Sequence, residues 1–202
     1  FVMSGESDIF GANNLGLSLT RIDPVAGNII WAWLYRGTPF SAAAGTAVTR
    51  SVDGVLAVGQ LQLATTAPRT PVLLKARAAD GAIVFERTYI ANLPTGAAGN
   101  MVFSDVRELP DTTIVISGTL SDGVQTDAVI IRTDPFGNVL NAFAYGSPNF
   151  NEAGDGIDYD GANRLALSGR SNIFGPAFES TFVMTANAFG LAPNWMEHVR
   201  DI

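Results

Sequence analysis

The side chains best suited to chemistry are few. The chain holds one histidine, His198, and no cysteine. Disulfides, thiolate zinc sites, cysteine nucleophiles and histidine-rich metal centres are excluded together. A serine hydrolase would need His198 beside an activated serine, and no Gly-x-Ser-x-Gly elbow is present. No catalytic residue is assigned. Paired carboxylates could still act as acid and base, because they can come from any strands and leave no trace in the sequence.

The densest acidic stretch runs Asp155-Gly-Ile-Asp158-Tyr-Asp160-Gly161. A helix–loop–helix calcium site needs Asp at positions one, three and five, Gly at six and Glu at twelve. With Asp158 and Asp160 at three and five, Gly156 falls at one and Leu167 at twelve, so the pattern fails at both ends. The stretch reads as a turn, with Asp155, Asp158 and Asp160 as weak candidates for an oxygen-ligated cation. No cofactor is expected, calcium being the one ion left open. Asp122 and Asp127, which flank a Gly-containing turn, make no better site.

A second signal is apolar. Ser7-Asp-Ile-Phe-Gly11 and Ser171-Asn-Ile-Phe-Gly175 stand at the same offset from Gly5 and Gly169. Ile9, Phe10, Ile173 and Phe174 either tuck over the edges of their own sheets or form a loop patch that meets a partner.

Both signals must be positioned by a repeating framework. Four segments end a short β-run on glycine: Phe1–Gly5, Val55–Gly59, Ile114–Gly118 and Leu165–Gly169, with spacings of 54, 59 and 51. About 20 residues after each lies a turn, ending at Gly27, Gly81, Gly137 and Gly190, spaced 54, 56 and 53. Glycine supplies the positive φ such turns need, and Asp or Asn can bond the backbone two residues on. Tyr35, Tyr89 and Tyr145 each follow the turn glycine by eight residues, and His198 takes that place in the fourth unit. Even offsets share one strand face, which reads Ile29, Trp31, Trp33, Tyr35 in the first unit. His198 is therefore expected as a replacement for a repeat tyrosine rather than as a base or ligand.

Each unit should hold four strands. In the third they are expected at about 101–109, 113–119, 127–133 and 138–145. No helical apolar period is sustained. Four-stranded units repeating near 54 residues predict an all-β chain of the β-propeller class. The units run about 1–42, 43–99, 100–152 and 153–202, within a single propeller or partial-propeller domain 1–202. The count gives fifteen strands, one short of four complete blades. The chain is thus expected to be part of a larger propeller, or to receive a strand from another chain.

Composition agrees. Hydrophobic residues make up 47% and charged residues 15%, against a usual charged share of about 25%. That apolar content excludes intrinsic disorder, and no run approaches the roughly 20 residues of a membrane-spanning helix. The net charge of -7 and the dispersed arginines exclude a phosphate-tracking surface, so neither nucleic acid nor anionic lipid is an expected partner. The start at Phe1, without methionine or basic leader, is expected of a processed chain or of a piece of a longer one.

The stretch Asp127-Ala-Val-Ile-Ile-Arg-Thr-Asp-Pro-Phe-Gly-Asn-Val-Leu-Asn-Ala-Phe-Ala-Tyr-Gly146 resembles the repeat of bacterial extracellular β-propeller proteins of the SBBP type. All four units share the resemblance, the second and fourth in degenerate form: Ile follows Tyr89, and His198 stands for tyrosine. The resemblance implies an exported protein, extracellular or at the cell surface. It also implies a non-enzymatic scaffold or binding module that engages a protein or glycan partner through its loops, by self-association or by strand donation. Two alternatives stay open: a hydrolase or lyase with a carboxylate pocket at the propeller centre, and a calcium-dependent adhesin.

Overall fold

A computed structural model describes residues 1–7, 16–35, 42–62, 69–89, 100–175 and 180–199. Its contacts divide the chain into two compact units, Phe1–Ile90 and Ala91–Ile202. Among the described residues there are fifteen strands and no helix.

In the first unit, β1 (Val2–Ser7), β2 (Gly16–Ile22) and β3 (Ile29–Tyr35) form a three-stranded sheet. Beside it, β4 (Ala42–Arg50), β5 (Gly54–Gln62), β6 (Arg69–Arg77) and β7 (Ile83–Thr88) form a four-stranded one. The second unit has two four-stranded sheets. The third sheet is β8 (Asn100–Glu108), β9 (Ile114–Ser121), β10 (Thr126–Thr133) and β11 (Val139–Tyr145). The fourth is β12 (Glu152–Tyr159), β13 (Arg164–Ser171), β14 (Ser180–Asn187) and β15 (Pro193–Val199). Every sheet is an antiparallel meander in sequence order, as short links between consecutive strands require.

The pairing repeats in detail. The first strands of the three four-stranded sheets each slip register by one residue, after Gly45, Phe103 and Gly154. The last two strands of all four sheets slip near their turn, so that Ile30, Val84, Leu140 and Asn194 have no opposite partner. An extra residue bends and twists its strand locally, which lets side chains on one sheet reach its neighbour.

Among the described residues, each unit buries a core between its two sheets. In the first, Leu17, Leu19 and Trp31 pack on Val55, Val72 and Leu74. In the second, Val115, Ala128 and Ile130 pack on Leu167, Phe182 and Met184. Burying one such leucine or isoleucine contributes about 1.5–3 kcal/mol. β10 is apolar and buried on both faces from Ala128 to Ile131, whereas β13 alternates strictly, with Leu165, Leu167 and Gly169 in and Arg164, Ala166, Ser168 and Arg170 out.

Close backbone approach explains two further glycines, Gly45 on β4 and Gly154 on β12. A Cβ on Gly45 would lie 2.8 Å from the Gly5 nitrogen, and one on Gly154 would lie 2.7 Å from the Gly118 oxygen. β4 thus presses its backbone against β1, and β12 against β9, the strands that carry the equivalent glycines Gly5 and Gly118.

The turns correct one sequence expectation. Gly27, Gly81 and Gly137 take positive φ, but in the fourth sheet that conformation falls on Leu191 (φ 56°), not Gly190. Leu191 N–H closes the turn on Asn187 O, as Gly27 N–H does on Asp23 O. The register moves by one residue in consequence. Tyr35 pairs with Leu17 and Tyr145 with Ala128, but in the fourth sheet Val199 takes the corresponding place, opposite Thr181. His198 lies opposite Phe182, on the other face from the tyrosine position.

Candidate functional site

The aromatic strand face joins sheets. Trp31 and Trp33 project from β3, and their indole N–H groups donate to Ala78 O (3.0 Å) and Asp80 O (2.8 Å) in the β6–β7 turn. Arg21 donates to the same Ala78 oxygen. The second unit repeats the scheme with other side chains. Asn141 Nδ2 donates to Phe189 O (2.9 Å), Arg132 donates there too (3.3 Å), and the buried Tyr145 hydroxyl donates to Leu191 O. The Arg132 guanidinium also lies 4.8 Å from the Phe189 ring centroid, a favourable cation–π placement. Burial pushes the Tyr145 hydroxyl's pKa up, and burial with a hydrogen bond to Glu86 does the same for Tyr35. Both stay protonated donors. The spacing of these residues was visible in the sequence; their role as clamps on a neighbouring turn was not, because it depends on which turn the face meets.

A basic group on the third strand then meets an acid in the turn between the first and second strands of its own sheet. Lys75 Nζ lies 2.7 Å from Asp53, with only 8% of its side chain exposed. Arg132 lies 2.7 Å from Asp111. The Lys75 hydrogen bond holds the Asp53 carboxyl below its ordinary pKa. For Asp111 burial acts upward, but hydrogen bonds from Thr113 and the charge of Arg132 win, and its pKa is lowered.

The residues singled out by sequence fare differently. Ile9 and Phe10 lie outside the described residues. Ile173 and Phe174 occupy the turn after β13, fixed by Ile173 N–H to Ser171 Oγ (3.1 Å) and Gly175 N–H to Asn172 O (2.8 Å). The Phe174 ring stands edge-on to His198 at 6.4 Å, and His198 in turn lies 5.9 Å from the Phe182 ring. Phe174 thus packs on its own sheet while 40% of its surface stays exposed. His198 Nδ1 is buried and has no hydrogen-bond partner among the described residues.

The acidic stretch is spread along β12 and its turn. Asp155 pairs with Arg170 (2.9 Å), Asp158 with Arg107 (3.5 Å) and Asp160 with Arg164 (2.8 Å). Among the described residues no three His, Asp or Glu side chains group to hold a metal ion. Backbone N–H groups of Ala162 and Arg164 bond Asp160 and lower its pKa, which suits a turn cap. Asp122 is likewise lowered by the N–H groups of Gln125 and Val124. Asp105, which the sequence did not single out, is the acid that links strands: it accepts from Ile157 N–H (3.1 Å) and pairs with Arg107 (3.0 Å). These residues line a small cleft of about 250 Å³ with Ser168 and Val183.

A scan against protein-family models gives no match for this chain, and a search of curated proteins gives none either.

Proposed function

We propose that the chain is a non-enzymatic, exported scaffold of the propeller class, akin to the SBBP-type repeat, that binds a protein or glycan partner through the loop edge carrying Phe174. The observation that carries this reading is the Phe174 ring itself. It is backed by His198, tied into a short hydrogen-bonded turn and still 40% exposed. An aromatic held in one orientation loses little entropy on contact and offers a large apolar face. The reading of a propeller draws support from the recurrence in both units of sheet packing, glycine contact and a side-chain clamp on the neighbouring turn.

The test is Phe174→Ser, with thermal unfolding, sedimentation of the native material and a glycan array read in parallel. The expected outcome is a melting temperature within about 3 °C of the parent, a change of roughly 1 kcal/mol or less, with loss of assembly or array binding. A variant that unfolds readily while assembly and binding stay unchanged would assign Phe174 to packing alone.

A further inference from the structure

One solvent-facing position recurs on the last strand of every sheet. Trp33 stands opposite Leu19, Arg87 opposite Leu73, Phe143 opposite Ile130 and Glu197 opposite Val183, at the same remove from the register slip near the turn. All four are exposed. Two of them are charged, so packing does not call for an aromatic at this place. The clamp on the neighbouring turn does not call for one either. In the second unit Asn141 and Tyr145 supply its donors from either side of Phe143. Trp33, with 46% of its surface exposed, therefore presents more apolar area than the framework needs.

The Trp33 ring is held in one orientation. Its indole N–H donates to Asp80 O (2.8 Å). A Cβ on Gly81, whose φ is +73°, would stand 2.5 Å from Trp33 Cδ1 and 2.7 Å from Trp31 Cε3. Only glycine lets both indoles lie on that turn. An aromatic fixed in this way loses little freedom when something stacks on it.

An exposed ion pair borders the ring on the turn side. Arg77 Nε and Nη2 donate to Asp80 Oδ1 (3.1 Å) and Oδ2 (2.6 Å), and Ala82 N–H donates to Oδ1 (3.0 Å). The two side chains are 59% and 53% exposed. The Ala82 N–H and then Arg77 hold the Asp80 carboxyl below its ordinary pKa, so it stays an acceptor at neutral pH. Such a pair sets N–H groups and carboxylate oxygens side by side while its charges cancel. It does not select an ion. A hydroxyl, which both donates and accepts, finds both kinds of partner there.

We propose that Trp33, Arg77 and Asp80 form a binding site for a neutral polysaccharide. One pyranose lays its apolar C–H face on the exposed indole and turns adjacent hydroxyls toward Asp80 and Arg77. A protein partner fits less well, since a stable protein interface buries about 1,000 Å² or more and is depleted of charge at its core. The site is separate from the Phe174 edge and does not rest on its role.

The probes are cellohexaose, mannohexaose, xylohexaose and chitohexaose, with an oligogalacturonate of equal length as the charged control. Each is titrated into the 202-residue protein and read by tryptophan fluorescence and saturation-transfer NMR. At least one neutral probe is expected to bind and to shift the emission. Trp33→Arg, the residue type the second sheet carries at Arg87, is expected to abolish that response with the melting temperature within about 3 °C of the parent. Asp80→Asn, which keeps an acceptor for Ala82 N–H, and Arg77→Gln should each weaken binding about tenfold. Phe174→Ser should leave the tryptophan response unchanged, whether or not the Phe174 edge itself takes glycan. Silence toward every neutral probe, tighter binding of the oligogalacturonate, a response that survives Trp33→Arg, or binding untouched by Asp80→Asn and Arg77→Gln would each overturn the proposal.

Discussion

At the scale of single residues, glycine and aspartate carry the sharpest consequences. Gly154 faces a backbone oxygen that cannot move aside, so Gly154→Ala forces two strands apart. The expected cost is about 1–3 kcal/mol, the usual range for overpacking. Gly27 differs: its φ is +71° but nothing lies within 4 Å of an added Cβ. Gly27→Ala should cost about 1–2 kcal/mol through backbone strain alone. Urea unfolding separates the two if the Gly27 loss is smaller, and equal losses would refute the close-approach account. Asp127 makes the opposite prediction. Burial, then the neighbouring charge of Asp122, raises its pKa. A carboxyl with a raised folded pKa costs stability once it is ionised, and the cost fades as pH falls through that pKa. Asp127→Asn should therefore raise the melting temperature at pH 7 and have little effect near pH 3. A lower melting temperature at pH 7 would show that the carboxylate makes a contact of net benefit.

At the scale of elements, the question is how a strand on one sheet holds the next. Tyr145 gives the cleanest case, since its hydroxyl is buried and donates to the Leu191 carbonyl of the β14–β15 turn. Tyr145→Phe keeps the ring and leaves that carbonyl without the donor, at an expected cost of about 1–3 kcal/mol. Denaturant unfolding with an unchanged m-value would report a loss of stability rather than of compactness, and a cost below about 0.3 kcal/mol would deny the clamp. The tyrosine spacing made this strand face legible before any coordinates, and so did the strands themselves: β8 to β11 begin and end within two residues of the expected limits. What failed to transfer was the fourth unit. Counting from Gly190 puts His198 on the tyrosine face, but the turn there carries its positive φ on Leu191 and shifts the register by one. Leucine seldom adopts that conformation, so residue type gave no warning. Ion pairs such as Lys75 with Asp53 were equally hidden, because they join a third strand to a turn about 22 residues earlier and depend on pairing order.

At the scale of the whole molecule, charge acts through turns more than through surfaces. The chain has 19 acidic residues and a net charge of -7, yet the aspartates whose pKa is clearly lowered sit at strand-joining turns. Backbone N–H groups hold Asp23, Asp80, Asp122 and Asp160, and cationic partners reinforce Asp53 and Asp111. A carboxyl with a lowered folded pKa contributes stability that is complete above its unfolded value and is lost as pH falls through the folded one. The unfolded value is near 3.8, so the loss from this group begins only below about pH 4. Most of these carboxyls are exposed, so each contribution is small and is screened by salt. The melting temperature should accordingly stay level from about pH 7 to 5 and fall steeply below 4. The fall should be shallower at 0.5 M salt in the part owed to Asp53 and Asp111, and should persist in the part owed to backbone capping, which salt screens less. Asp160→Asn preserves the cap's shape while removing its charge, and is expected to flatten the acid limb by slightly lowering the plateau, with the melting temperature near pH 3 unchanged. A plateau that already breaks above pH 5 would place the acid sensitivity in groups other than these turn aspartates.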